Sequence, residues 1–321
     1  MPEGKKRRHE AALVEQRLQS IEDQLKMSVS TGTIVFVYNT LIHNELIAKK
    51  AFESLRLGSV LSLFLYFSEK MMTIEEFFEE YPSVAIAFSG GVDSTYLLYA
   101  AKKYAKNVKA YYFKSEFQPE FEFDDAMRAA KELDAEVEIL NGSVLTDEKI
   151  IKNPKNRCYY CKSRVFGSIK QAAEKDGFSV ILDGTNASDS ADDRPGMKAL
   201  KENGTLSPLR MCGLTKSDVR RLSKEAGLFT WDKCAYACLA TRIRTGEEIT
   251  AEKLMAVESS EGYMFSLGFR DFRVRVRGES ALIQIRGEQI TLLADHRIEI
   301  LDELKKYFNT VSLDLEVRHG E

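Results

Sequence analysis

An α/β fold, built on a parallel doubly wound sheet and followed by a small C-terminal α+β domain, is predicted by three observations. From Ser83 the sequence alternates short apolar runs with stretches of helical periodicity, a glycine-rich loop directly follows the first run, and past about Thr245 the order of elements changes. Val84-Ala85-Ile86-Ala87-Phe88 is a continuous apolar run of the kind that suits a strand buried on both faces. Leu97, Leu98, Ala101, Tyr104 and Ala105 recur at helical spacing and place a helix over 94–105. The same reading gives strands at 108–113, 136–140 and 178–182, and helices at 123–133 and 162–175. Repeated βα units with short connections imply a parallel sheet with helices on both faces. Ligands on such sheets sit beyond the carboxyl ends of the strands. After Thr245 a helix near 251–262, strands near 272–277 and 281–286, a helix near 290–308 and a strand near 311–317 complete the smaller domain.

The 321 residues therefore divide into three parts: an N-terminal extension over 1–71, the α/β domain over 72–244, which carries the cysteines, and the α+β domain over 245–321. The extension holds the basic run Lys5-Lys6-Arg7-Arg8, a helix expected at 10–27 and an apolar stretch at 60–67. That stretch is shorter than the ~20 residues a bilayer requires, so no membrane association is expected. With 44% hydrophobic and 30% charged residues the composition excludes collagen-like and wholly disordered classes. The formal charge is −3, and from Met71 onward 36 basic residues face 41 acidic ones, which argues against a nucleic-acid partner. Five cysteines in a chain with no signal-peptide pattern argue against a secreted disulfide framework and for a cytoplasmic protein that uses thiols for metal or catalysis.

Ser89-Gly90-Gly91-Val92-Asp93-Ser94-Thr95 lies between the first strand and its helix. Two glycines let the backbone turn tightly and aim N–H groups at an anion, and the helix N-terminus adds its positive end. Asp93 or Ser94 is placed to cap the helix. A Walker A lysine and a dinucleotide-fingerprint spacing are both absent. SGGVDS resembles the pyrophosphatase loop, or PP-loop, of enzymes that cleave ATP between the α- and β-phosphates.

The cysteines fall into two pairs and a singleton. Cys158 and Cys161 form a CxxC in Arg157-Cys158-Tyr159-Tyr160-Cys161-Lys162, which opens a helix, so Arg157, Lys162 and the helix end each favour thiolates. Cys234 and Cys238 are spaced one helical turn apart, and Cys212 is isolated and reads as a small buried hydrophobe. Two pairs permit a structural zinc site, a redox couple or an iron–sulfur cluster. The histidines His9, His43, His296 and His319 offer no mixed zinc spacing.

The loop, Asp183-Gly184-Thr185-Asn186, Asp192-Asp193-Arg194-Pro195-Gly196, Ser207-Pro208-Leu209, Lys216 and Cys238-Leu239-Ala240-Thr241-Arg242 together resemble the LarE family of ATP-dependent sulfur transferases, from about Met72 to the C-terminus. The resemblance implies a PP-loop fold of the adenine nucleotide alpha-hydrolase-like kind and a role in making a nickel-pincer nucleotide cofactor. The substrate implied is pyridinium-3,5-biscarboxylic acid mononucleotide, adenylated by ATP with Mg²⁺ and converted to a thiocarboxylate. Ser89, Gly90, Gly91, Asp93, Ser94 and Thr95 would then hold ATP, with Asp93, Cys238 and Arg242 catalytic. Arg273, Arg275 and Glu261 would hold the substrate nucleotide, and Asp183 the Mg²⁺. Arg273, Arg275 and Arg277 alternate with valines, so one strand face would carry all three, with a solvated sheet face as the plainer reading.

One branch of this family sacrifices the cysteine matching Cys238. Another holds a 4Fe-4S cluster on three cysteines, and the presence of Cys158 and Cys161 with Cys238 resembles that branch. Cys234 stands where the family has proline, and Gln284 where a metal-associated glutamate is common. A homo-oligomer is also implied. Cluster-dependent tRNA thiolation and a non-catalytic nucleotide- or zinc-binding module are the alternatives.

Overall fold

The computed structural model describes residues 72–189 and 195–318. The basic run, the expected helix at 10–27, the apolar stretch at 60–67, Asp192, Asp193 and His319 lie outside them.

A capping box opens the described chain: Thr73 Oγ1 accepts from the Glu76 backbone N–H, and Glu76 accepts from that of Thr73, starting α1 (Ile74–Glu80). Strands β1 (Ser83–Ala87), β2 (Asn107–Lys114), β3 (Val137–Asn141) and β4 (Ile181–Leu182) pair in the order β3-β2-β1-β4, parallel throughout. Helices α2 (Val92–Tyr104), α3 (Glu120–Glu132), the short α4 (Glu148–Ile151) and α5 (Arg157–Lys175) lie between them. Then come α6 (Pro195–Glu202), the short α7 (Pro208–Met211) and α8 (Lys216–Glu225). β2 lies on one side of β1 and β4 on the other, so the strand order reverses beside β1 and opens a crevice at its carboxyl end.

Strand alternation divides the interior. Val84 and Ile86 of β1, with Ala110 and Tyr112 of β2, join one apolar cluster with Phe77, Leu97 and Val219. Ala85, Tyr111 and Phe113 face the opposite way into a second cluster. That second cluster continues through α5, represented by Ile169 and Ala173, into the C-terminal elements, represented by Val257, Phe272, Val274 and Ile300. The expected boundary at 244/245 is therefore crossed by one core, and the described residues from Met72 onward belong to one compact unit.

The C-terminal sheet joins β5 (Arg273–Arg277) antiparallel to β6 (Ser280–Gln284), and β6 parallel to β7 (Thr310–Leu313). Helix α9 (Ala251–Ser266) buries Leu254, Val257, Glu261 and Met264, a three-and-four spacing that puts one carboxylate on the core-facing stripe. The helix expected at 290–308 is two, α10 (Ile290–Asp295) and α11 (Arg297–Leu304), interrupted at His296, whose φ of −100° and ψ of 12° leave the helical region. The fourth and last strands are shorter than expected, at Ile181–Leu182 and Thr310–Leu313. Among the described residues no helix is long and apolar enough to cross a membrane.

Candidate active site

The phosphate-type loop sits at the crevice. Gly90 has φ +71°, and a Cβ there would lie 2.5 Å from the Ala126 Cβ of α3, so only glycine lets the loop turn and pack on that helix. Gly184, after β4, is similarly constrained, since its Cβ would lie 2.8 Å from the Ser94 backbone N. The N-cap of α2 is Gly91, not Asp93 or Ser94 as expected, and no side chain bonds to it. Starting two residues early, the helix keeps its first N–H groups clear of side-chain caps, the arrangement that suits an anion. Ser94 Oγ instead braces the loop, 3.0 Å from Ser89 Oγ and 3.3 Å from Gly91 O.

Asp93 links both sides of the crevice. Its Oδ2 lies 2.5 Å from Lys216 Nζ at the start of α8, and its Oδ1 accepts from Asn186 Nδ2 at 3.2 Å. Thr215 and Asp218 form the capping box that starts α8, and so set where Lys216 leaves the backbone. Ser89, Gly91, Val92 and Asp93 line a cavity of about 310 Å³ that Lys216, Lys233, Tyr236 and Cys238 also line. Thr95, expected in the ligand set, is buried at 1% exposure with its hydroxyl unpartnered. Asp183, implied for Mg²⁺, is buried too, and accepts from Ser207 Oγ at 2.6 Å and Thr185 Oγ1 at 2.5 Å. Those donors commit it to closing the turn after β4, leaving Asp93 and Glu122 as carboxylates on the cavity wall.

Residues 233–238 have no regular structure between 3₁₀ turns at Phe229–Asp232 and Leu239–Arg242. The helical turn expected between Cys234 and Cys238 is thus absent: Cys234 is exposed, Cys238 half-buried, and both line the cavity. Arginine side chains carry this segment. Arg273 donates to Ala235 O, Arg242 to Ala237 O and Cys238 O, Arg157 to Ala240 O, and Arg275 to Thr241 O. Cationic donors satisfy carbonyls that a strand or helix would otherwise pair.

Two of those arginines differ in their compensation. Arg242 is fully buried and paired with Glu261, itself 1% exposed, which also accepts from Tyr236 Oη and the Val274 backbone N–H. Burial disfavours the Arg242 charge, yet the Glu261 hydrogen bonds and charge outweigh it and raise its pKa. Through these bonds and the Arg242 contacts to Ala237 O and Cys238 O, the pair ties the cysteine segment to Glu261. Arg273, at 7% exposure, and the half-buried Arg275 form no ion pair among the described residues. Burial and then the Arg242 charge push both their pKa values down, the electrostatic condition an incoming anion relieves. Of the three alternating arginines only Arg277 is exposed, so a solvated face does not describe this strand. Gln284 bridges Arg275 and Asp314.

Cys158 and Cys238 lie near enough to Cys161 for their charges to bear on its thiol. The Cys161 thiol is pushed up to about 12, first by burial and then by the charges of Cys238 and Cys158. Burial likewise raises the Cys238 thiol. Arg157 and Lys162 do lower the Cys161 value, as expected from their position, but desolvation outweighs them. Arg157 Nη2 lies 3.8 Å from Cys158 Sγ. Three free thiols from two segments suit, by donor chemistry, a cluster that takes one thiolate at each of several irons. Among the described residues no group of three or more His, Cys, Asp or Glu is gathered to hold a metal ion. Cys212 packs at the edge of the first cluster, and burial pushes its thiol up to about 12.

Sequence reasoning missed Lys233, Tyr236 and the carbonyl contact of Arg157. Tyr236 stacks under two guanidinium groups, 4.3 Å from that of Arg242 and 5.4 Å from that of Arg273. An aromatic between two cysteines was the available signal, but its partners lie on elements distant in sequence.

Residues 83–154 match the family model of the queuosine biosynthesis protein QueC. The chain is 34% identical over 249 residues to pyridinium-3,5-bisthiocarboxylic acid mononucleotide synthase of Lactiplantibacillus plantarum, covering 77% of this chain and 90% of that protein. It is 36% identical over 251 residues to the uncharacterized protein slr1717 of Synechocystis, covering 77% and 94%. To the tRNA-specific 2-thiouridylase MnmA of Thermotoga maritima it is 27% identical over 187 residues, 45% of this chain and 52% of that one.

Proposed function

Since the chain belongs to the LarE family of PP-loop sulfur transferases, we propose that it adenylates a carboxylate of pyridinium-3,5-biscarboxylic acid mononucleotide with ATP and converts it to a thiocarboxylate, in nickel-pincer nucleotide cofactor synthesis. The observation that supports this most is the shared cavity: the loop over Ser89–Asp93 and the Cys238 segment line the same space. The loop's clear helix N-terminus binds the departing pyrophosphate, and Asp93, the loop carboxylate on the wall, would hold Mg²⁺, which would offset phosphate charge. Adenylation replaces a poor leaving oxygen with AMP, and a sulfur nucleophile then attacks the activated carbonyl. The buried Arg273 and half-buried Arg275, neither paired with a carboxylate among the described residues, take the substrate's phosphate or second carboxylate. Arg242, fixed by Glu261 and Tyr236, holds the Cys238 carbonyl in place.

Cys158, Cys161 and Cys238 are the residues that would hold a 4Fe-4S cluster, which would supply sulfide for the transfer. Without the cluster, the Cys238 sulfur attacks the activated carbonyl and displaces AMP, and loss of the Cα hydrogen as a proton then breaks the Cβ–S bond, leaving dehydroalanine and the thiocarboxylate. The protein acts in the cytoplasm, as a homo-oligomer, on this small nucleotide.

Anaerobically purified full-length protein should release AMP and pyrophosphate only with the pyridinium mononucleotide. Cys238→Ala should still release pyrophosphate but form no thiocarboxylate. Thiocarboxylate formed by that variant, or activity on tRNA with none on the mononucleotide, would overturn the reading. Iron and acid-labile sulfide with an unchanged Cys238 peptide after turnover support the cluster route, and a peptide lacking one sulfur supports sacrifice.

A further inference from the structure

Two ammonium groups line the cavity that holds the phosphate loop, Lys216 and Lys233. Lys216 is held by Asp93 of the loop itself. Lys233 is held from the other side, 3.0 Å from Glu122 Oε2 and 2.7 Å from Asp125 Oδ2, both on α3. The Lys233 side chain is 14% exposed and that of Glu122 12%, so the group is largely withdrawn from water.

This triad is poorly built as a structural strut. Glu122 Oε1 is buried with no partner, the costly half of a buried ion pair. Burial raises the Glu122 pKa, Lys233 opposes that, and the neighbouring Asp125 charge adds to it. Two carboxylates on one ammonium also leave a net negative charge where a polyphosphate must enter. An anion arriving in the cavity would compete with Glu122 and Asp125 for this lysine.

We propose that Lys233 is a nucleotide-contacting residue, which leaves Glu122 and Asp125 when ATP binds and takes the α-phosphate, the phosphate that departs as AMP. The assignment to that phosphate follows from the chain. Lys233 lies five residues before Cys238 on the same irregular segment, and the attacked carbonyl is bonded to the α-phosphate, so the phosphate nearest the cysteine segment is that one. The pyrophosphate half goes to the loop and the start of α2. An ammonium beside the departing AMP stabilises the charge it gains as the carbon–oxygen bond breaks and the carbon–sulfur bond forms. Glu122, left behind, takes a proton from solvent. The inference rests on the ATP-dependent reading above and deepens it.

Calorimetric binding of AMP, ATP and inorganic pyrophosphate to the full chain tests it. Lys233→Met should weaken AMP and ATP at least tenfold and leave pyrophosphate within twofold, with part of the loss recovered by Lys233→Arg. Glu122→Gln should strengthen AMP binding severalfold, because it frees the lysine. A strut would give the opposite sign, with both Glu122→Gln and Lys233→Met weakening binding. AMP bound by Lys233→Met as tightly as by the wild type, or weakened equally by Glu122→Gln, overturns the proposal while leaving ATP use intact. Wild-type protein that binds neither ATP nor AMP overturns the ATP reading itself, and this inference with it.

Discussion

Arg242 and Glu261 are joined by two hydrogen bonds of 2.9 Å, Nε to Oε1 and Nη2 to Oε2, with both side chains closed off from solvent. The pair ties the cysteine segment to α9, and through the Val274 N–H it reaches the second sheet. Removing one partner leaves the other charge buried and unmatched. Glu261→Gln should therefore cost about 3–5 kcal/mol of stability in denaturant unfolding. The double variant Arg242→Met, Glu261→Met should cost less than the single changes summed, and additive losses would mean that the two are not energetically coupled.

Arg157 bridges the two cysteine-bearing segments, through Ala240 O at 3.1 Å and Asn153 Oδ1 at 2.6 Å. Arg157→Lys keeps the charge but cannot reach both acceptors in one plane. It should lose about 1.5–3 kcal/mol, the range for hydrogen bonds to charged groups. Cys161 and Cys238 should then react faster with a thiol reagent than in the wild type, and unchanged rates would show that Arg157 does not hold the segments together.

Gly90 combines a left-handed φ of +71° with a Cβ position 2.5 Å from Ala126 Cβ. Gly90→Ala should destabilise the protein by about 1–3 kcal/mol and weaken ATP binding, as the loop is displaced from α3. Pairing it with Ala126→Gly removes the clash but not the strained φ, so only part of the loss should return.

The capping box at the start of α8 makes stability depend on pH. Thr215 donates to Asp218 through its hydroxyl at 2.5 Å and its backbone N–H at 3.1 Å, and the hydroxyl bond above all holds the Asp218 pKa below its ordinary value. A lowered folded-state pKa gives stability that is present above the unfolded value, ~3.9, and is lost as the pH falls through the folded one. Thr215→Val should cost about 1 kcal/mol at pH 7. The difference from wild type should shrink below about pH 4, and a constant difference would remove Asp218 from the account.

Much of the fold could be read from residue order. The continuous apolar run at Val84–Ala87 demanded burial on both faces, and both clusters supply it. The CxxC was expected to open a helix and does, since α5 begins at Arg157, although periodicity marked that helix only from Lys162. Spacing also misled at Cys234 and Cys238, where four residues suggested a helical turn but arginine side chains, not i to i+4 bonds, satisfy the backbone.

The sequence by itself determined the βα order, the glycine loop, the CxxC and the family resemblance, because each depends on local spacing and residue type. Only the tertiary structure decided what faces what. Glu261 and Arg242 became a buried pair, Asp183 a closed turn, and Lys233 a cation withheld by two carboxylates, since burial and ion pairing depend on partners that chain order does not reveal.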